Sequence, residues 1–348
     1  MIKVAQAMLM GHPDKVCDQV ADAIMDEFLR RDAATRGSVY VFGGHGAMMI
    51  SGSVSSRADF DCAEIAKRVY KQIGYEDEIE PFVHLGVPTD DFGTVAKTAS
   101  RAQAVCYGYA TNATREMLPR AQVYAQALAR AVDEARMHDQ EMHWLRPDGR
   151  VMVAMNGTHI THVTVFCQHA EDAKVQDVHH GILERVVRPV IGDTKEIKLF
   201  VNTTGVYVNG GLSTHTGQSG RRTASDLYGG LMPHGGELII GRDPAHPSRA
   251  GFYMARHMAR ELVKIGKASQ VFVTLVYTIG RVDPVLLDVR GDKGEDLTST
   301  AKERFDLRIE KIVEMFNLRR PIYRNLAVYG PFGRNDAPWE SSGHENVP

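Results

Sequence analysis

The strongest constraint on the fold is an order of elements that occurs three times. Apolar spacing at Val16, Val20, Ile24 and Phe28 predicts an amphipathic helix from Pro13 to about Arg30. Val39 to Val54 reads as two strands around Gly43-Gly44-His45-Gly46. A helix follows from about Ala58, with Ile65, Ala66 and Val69 on its apolar side and Gly74 as its stop, and then a strand over 81–86. The order returns as a helix from Pro119 to Met137 and two strands joined by Asn156-Gly157, a strong hairpin signal. A helix from about Ala170 to Val190 and a strand at Ile197–Val201 close that unit. It returns again as a helix near Arg249–Ile265, strands at Val271–Ile279 and Val285–Val289, and a helix from about Thr298 to Phe316. The expectation is an α+β protein of three similar α/β-sandwich domains about a pseudo-threefold axis. The domain limits fall at 1–103, 104–210 and 211–348, with exchange of the termini between modules left open.

A chain of 348 residues has room for that much core. Its formal net charge of -2 gives no global basic surface, which argues against nucleic acid as the main partner. No apolar run reaches membrane-spanning length and the start lacks a signal-peptide core, so no membrane partner is expected. Cys17, Cys62, Cys106 and Cys167 are scattered without a C-x-x-C pair, which points to reduced thiols in a soluble, cytoplasmic protein.

Two stretches suggest chemistry. Gly11-His12-Pro13-Asp14-Lys15 opens the first helix, with Pro13 suited to its first turn. Free N–H groups and the positive dipole end there stand beside a donor, a potential cation ligand and a fixed charge, a natural place for phosphate. The same spacing also suits an ordinary capped helix. Between residues 209 and 243, glycines are interleaved with Arg221, Arg222 and Arg242, and His246 and Arg249 follow. Such a segment can wrap a polyphosphate or be a solvated loop. Tyr207 and Tyr109, each near glycine, could stack on a base or pack in a core. No Walker A or G-x-G-x-x-G pattern occurs.

Taken together, these residues resemble the methionine adenosyltransferases (S-adenosylmethionine synthetases) over nearly the whole chain. The resemblance rests on Gly11-His12-Pro13-Asp14-Lys15, Gly108-Tyr109-Ala110-Thr111-Asn112, Arg146-Pro147-Asp148, Ser219-Gly220-Arg221-Arg222, Asp226-Leu227-Tyr228-Gly229-Gly230, His234-Gly235-Gly236 and Phe332-Gly333-Arg334. It implies a three-domain fold and the attack of methionine sulfur on C5′ of ATP. The triphosphate released is then hydrolysed to pyrophosphate and phosphate. By match, His12 would sit at the 5′ oxygen, Lys15 and Arg221 on phosphates, and Asp14 on Mg²⁺. Asp148 would hold the ribose, with Thr204, Tyr207 and Ile279 framing the adenine. A homodimer with sites at the interface is implied, and with it the option of a tetramer.

The departures follow a pattern. Arg150, Arg222 and Arg242 stand where the family usually has lysine, and His246 replaces a fourth, so the cationic triphosphate pocket is expected to persist. Acids fare worse. Ser248 replaces the second magnesium aspartate, leaving Asp14 as the one magnesium ligand that can be named, with Glu237, Asp243 or Asp90 as substitutes to be tested. Tyr40 stands at a potassium-binding glutamate, so K⁺ dependence is expected to be weak. Ser53, Ala102 and His215 occupy the amino-acid substrate pocket where acids are usual. Those changes leave two alternatives open: a relative that adenosylates another thioether or only cleaves ATP or triphosphate, and a non-catalytic nucleotide-binding subunit.

Overall fold

The structure, a computed structural model, describes residues 1–88 and 99–341. Asp90 and most of the loop expected near Val87–Gln103 lie outside the described residues.

Strand β1 (Ile2–Met8) opens the chain and leads into helix α1 (Pro13–Arg31). Hairpin β2 (Arg36–Gly44) and β3 (Ala47–Ser55) follows. Helix α2 (Cys62–Ile73) is capped by the Asp61 carboxylate and stopped by Gly74, whose φ of 113° is left-handed. Strand β4 (Glu80–Gly86) then returns parallel to β3. The second module repeats this order with β5 (Ala104–Thr111), α3 (Arg120–His138), and hairpin β6 (Leu145–Asn156) and β7 (His159–His169). Its second helix is α4 (Val175–Gly181), a π turn and α5 (Arg188–Ile191), and β8 (Lys198–Val201) pairs parallel to β7. The third holds β9 (Thr216–Gln218), α6 (Thr223–Tyr228), α7 (Pro247–Lys264), hairpin β10 (Gln270–Tyr277) and β11 (Leu286–Gly291), then α8 (Thr298–Arg304) and α9 (Ile309–Met315).

The single helix expected over Thr298–Phe316 is therefore two. Between them, the Asp306 carboxylate accepts from the Arg308 N–H and the Tyr277 hydroxyl donates to the Leu307 carbonyl at 2.6 Å. These bonds hold residues 305–308 out of the helix.

The modules are interlocked. Each hairpin sheet is completed by a strand from another module: β1 pairs with β6, β5 with β10, and β9 with β2, all antiparallel. The strand that precedes a module's leading helix thus joins the sheet of the next module, in a cycle of three. Each sheet packs one face against helices. The other face of the β2–β3–β4 sheet is open and carries an apolar row, Phe42 opposite Met49 opposite Phe82, with Phe42 53% exposed. Among the described residues, no helix is long and apolar enough to cross a membrane.

Candidate active site

The mouth of α1 is assembled from three distant stretches. The Leu9 and Gly11 N–H groups donate to the Gly149 and Pro147 carbonyls, which seats His12 beside the start of β6. Strand β9 approaches so closely that a Cβ at Gly217 would overlap the Pro13 carbonyl, so only glycine fits there. The next N–H, of Gln218, donates to Asp14 at 3.0 Å. His12 caps the helix, its Nδ1 accepting from the Asp14 N–H at 3.2 Å. Burial lowers the His12 pKa to about 3, outweighing the pull of Asp14, and Arg222, Lys15 and Arg150 add to the lowering. The ring is therefore neutral at physiological pH. With Nδ1 occupied as acceptor, its proton resides on Nε2, a hydrogen-bond donor.

Two guanidinium groups meet the Asp14 carboxylate beside His12. Arg222 Nε donates to Asp14 Oδ2 at 2.6 Å, and Arg221 Nη1 reaches Asp14 Oδ1 at 3.4 Å from a side chain that is half exposed. The side chain of exposed Arg150 makes no hydrogen bond or ion pair among the described residues, yet its charge acts on His12. Lys15 is placed differently from the sequence expectation. Its side chain is 0% exposed, with Nζ 2.7 Å from Asp18 and 2.6 Å from Asp226. Burial alone would lower its pKa, but the two carboxylates hold it raised, so it stays charged. Lys15 lies beneath the mouth rather than on its surface.

Beside the mouth is a shelf for a ring. Buried Asp148 accepts from the Tyr207 hydroxyl at 2.6 Å and the Gly211 N–H at 2.8 Å, and burial raises its pKa. Tyr207 stacks on Phe166, and exposed His215 sits edge-on to it with ring centres 6.2 Å apart. Exposed Thr204 lies on the loop just before Tyr207.

Other candidates form a second group. Gly241, whose N–H donates to Asp22, has a φ of 72° and no room for a Cβ against the Val39 carbonyl. From Asp14 to Asp22 is eight residues of helix, so this group starts about 12 Å along α1 from the first mouth. Arg242 donates to the Ser38 hydroxyl at 2.6 Å and lies over the Tyr40 ring at 5.0 Å. His246 caps α7 as His12 caps α1, accepting from the Ser248 N–H at 3.2 Å, and burial likewise lowers its pKa to about 3. Ser248 donates to Glu237 at 2.7 Å, and the other Glu237 oxygen accepts from the Val105 N–H. Exposed Ser53 pairs with Ser38 across the hairpin. Exposed Ile279 adjoins Gly280, which donates to Ser100, two residues before half-buried Ala102. The candidates thus fall in separate groups: His12, Asp14, Asp148, Arg150, Thr204, Tyr207, His215, Arg221 and Arg222 around the α1 mouth and its flank, Ser53, Arg242 and His246 farther along α1, and Ala102 with Ile279 where the chain after Ile279 meets Ser100.

Arg249, expected on the polyphosphate, is structural, and of the two roles open to Tyr109 the structure takes core packing. Arg249 is fully buried, paired with Asp22 at 2.5 Å and stacked on Tyr323. Tyr109 packs in the core against Tyr228 and Phe272. The substitute acid Asp243 is buried and bonded to the Gly37 and Ala245 N–H groups. Neither Asp18 nor Asp226 was assigned a role from sequence, although the i,i+3 spacing of Lys15 and Asp18 is a signal for the first and Asp226 opens the Asp226-Leu227-Tyr228-Gly229-Gly230 motif. No cluster of three or more His, Cys, Asp or Glu able to hold a metal occurs among the described residues.

A buried neutral histidine caps a helix N-terminus beside an arginine-paired aspartate, on three interlocked α+β modules. The kinship of the chain is specific. The chain belongs to the S-adenosylmethionine synthetase family, matching that family's N-terminal domain over residues 2–86, its central domain over 97–207 and its C-terminal domain over 209–341. It is 32% identical to the S-adenosylmethionine synthase of Petrotoga mobilis, across 98% of this chain and 96% of that protein. Identity to the S-adenosylmethionine synthase of Staphylococcus epidermidis strain RP62A is also 32%, across 99% and 96%.

Proposed function

We propose that this chain is a methionine adenosyltransferase, forming S-adenosylmethionine from ATP and L-methionine and hydrolysing the released triphosphate to pyrophosphate and phosphate. The observation that carries the reading is the His12 imidazole, held neutral with Nδ1 accepting from Asp14 so that Nε2 is the donor, beside the Asp14 carboxylate that Arg221 and Arg222 pair with. A thioether is a competent nucleophile without deprotonation, so the barrier lies in expelling the triphosphate. As the C5′–O bond breaks, negative charge grows on the 5′ oxygen. His12 donates to that oxygen, the arginines take the charge spreading along the phosphates, and the Asp148–Tyr207 shelf holds the nucleoside in line.

A divalent ion fits this donor set only in part. Mg²⁺ is commonly held by one or two carboxylates together with substrate phosphates. Asp14 at the first mouth and Glu237 at the second are such lone carboxylates, each already hydrogen-bonded. They suit an ion that arrives on the triphosphate, where it would neutralise phosphate charge. Potassium finds no carboxylate at Tyr40, over which Arg242 lies.

The separation of these groups supports a homodimer in which each chain completes the other's site. The open Phe42–Met49–Phe82 row is an apolar surface suited to that contact. The four cysteines are free and buried, which suits the cytoplasm. The reading is tested by following pyrophosphate and phosphate release with and without methionine. Release that depends on methionine supports it. Release indifferent to methionine identifies a triphosphate-cleaving relative, and nucleotide binding with no release identifies a non-catalytic subunit.

A further inference from the structure

The buried ion cluster beneath the α1 mouth is unused by that mechanism. Lys15 is wholly enclosed, and its ammonium bridges two carboxylates that lie on either side of the arginine pair in sequence. On one flank, the second oxygen of Asp18 accepts from the Gly220 N–H at 2.7 Å, the residue just before Arg221. On the other flank, Asp226 sits one helical turn after Arg222, its own N–H donating to the Arg222 carbonyl at 2.9 Å. Gln122 reinforces that flank by donating to the Ser225, Asp226 and Leu227 carbonyls. Residues 220–226 are therefore clamped at both ends to the first two turns of α1.

We propose that Lys15, with Asp18 and Asp226, is a positioning residue that fixes the Arg221–Arg222 turn over the α1 mouth and does not itself touch the phosphates. Asp14 holds the two guanidinium groups, but their backbone turn would be free to shift without the clamp and would be ordered on binding at a cost in affinity. The Lys15 ammonium ties Asp226 to Asp18, and through Asp18 to the Gly220 N–H, so a single charge links the two ends of the turn. The inference rests on the triphosphate reading above.

The test is a mutant cycle read by calorimetry with tripolyphosphate, using the full chain. Asp226→Asn keeps the shape and removes the charge. It should weaken tripolyphosphate binding by roughly tenfold, an effect within the usual range of coupling between contacting residues. In a background lacking both side chains, Arg221→Ala with Arg222→Ala, the same change should cost almost nothing further, because both residues being positioned are gone. With Arg150→Ala, which lies outside the clamp, the effects should multiply. Asp18→Asn, which keeps an acceptor for Gly220, should show the same pattern to a smaller degree and serves if Asp226→Asn does not fold. Full affinity in both Asn variants, or effects that multiply in the background lacking both arginine side chains, would overturn the positioning role while leaving the proposed function intact. A wild-type chain that binds no tripolyphosphate would overturn both.

Discussion

Replacing His12 by Asn separates its structural duty from its chemical one. The imidazole caps α1 through Nδ1, 3.2 Å from the Asp14 N–H. Asparagine is among the best N-cap residues, so its side-chain oxygen can accept the same hydrogen bond, and stability should change by less than about 1 kcal/mol. What disappears is the Nε2 donor, which the shorter side chain cannot replace. Removing one preorganised donor from a developing oxyanion costs about 2.7–4 kcal/mol, or roughly 10²–10³ in kcat. Arg150, Arg221 and Arg222 remain, so affinity for a non-hydrolysable ATP analogue should be nearly unchanged. The assay pairs kcat for adenosyl transfer with analogue binding by calorimetry and a urea unfolding midpoint. A variant that turns over near the wild-type rate would refute the donor role. So would one whose kcat loss is matched by an equal loss of analogue affinity.

Other outcomes follow from the same geometry. Since the His246 pKa is lowered from 6.5 to about 3, its contribution to stability is complete above pH 6.5 and is lost as pH falls towards 3. Between pH 7 and 5, urea unfolding of His246→Asn should lose about 2 kcal/mol less than wild type, at 1.36 kcal/mol per unit below 6.5; an identical loss would contradict the buried neutral ring. The His12 pKa, also about 3, means an acidic limb of kcat near pH 6.5 should not belong to His12, and finding one that vanishes in His12→Asn would count against its burial. Exchanging K⁺ for Na⁺ at equal ionic strength should leave the rate almost unchanged, because Arg242 already lies over Tyr40; strong K⁺ activation would oppose this. Phe42→Asp places a charge in the middle of the open apolar row and should shift the chain towards monomer in light scattering, with loss of activity. An unaltered mass would remove that face from the interface.

Helices and hairpins were legible because their signals are local. Asn156-Gly157 does sit at the tip of a hairpin, Gly74 does end a helix, and Pro13 does occupy the first turn of α1. The three exchanged strands were not read. Strand β9 has only three residues, one of them glycine, and β5 is interrupted by Gly108. Their partners are chosen by long-range packing, which no spacing reveals. The site divides in the same way. The α1 mouth is encoded within a few residues, so its histidine and aspartate could be found. The fate of the cations could not, because Lys15 meets Asp226 across 211 residues of sequence, and Arg249 meets Asp22 across 227. A charge that looks free in sequence is buried as soon as a distant acid pairs with it.

The central claim is that this cationic mouth expels a whole triphosphate from C5′ in favour of methionine sulfur. The most direct measurement is mass spectrometry of the products formed by the purified chain from ATP, Mg²⁺ and L-methionine. The expected result is S-adenosylmethionine in amounts equal to the pyrophosphate and phosphate released. Adenosine phosphates as the only nucleoside products, or bound ATP recovered intact, would contradict it.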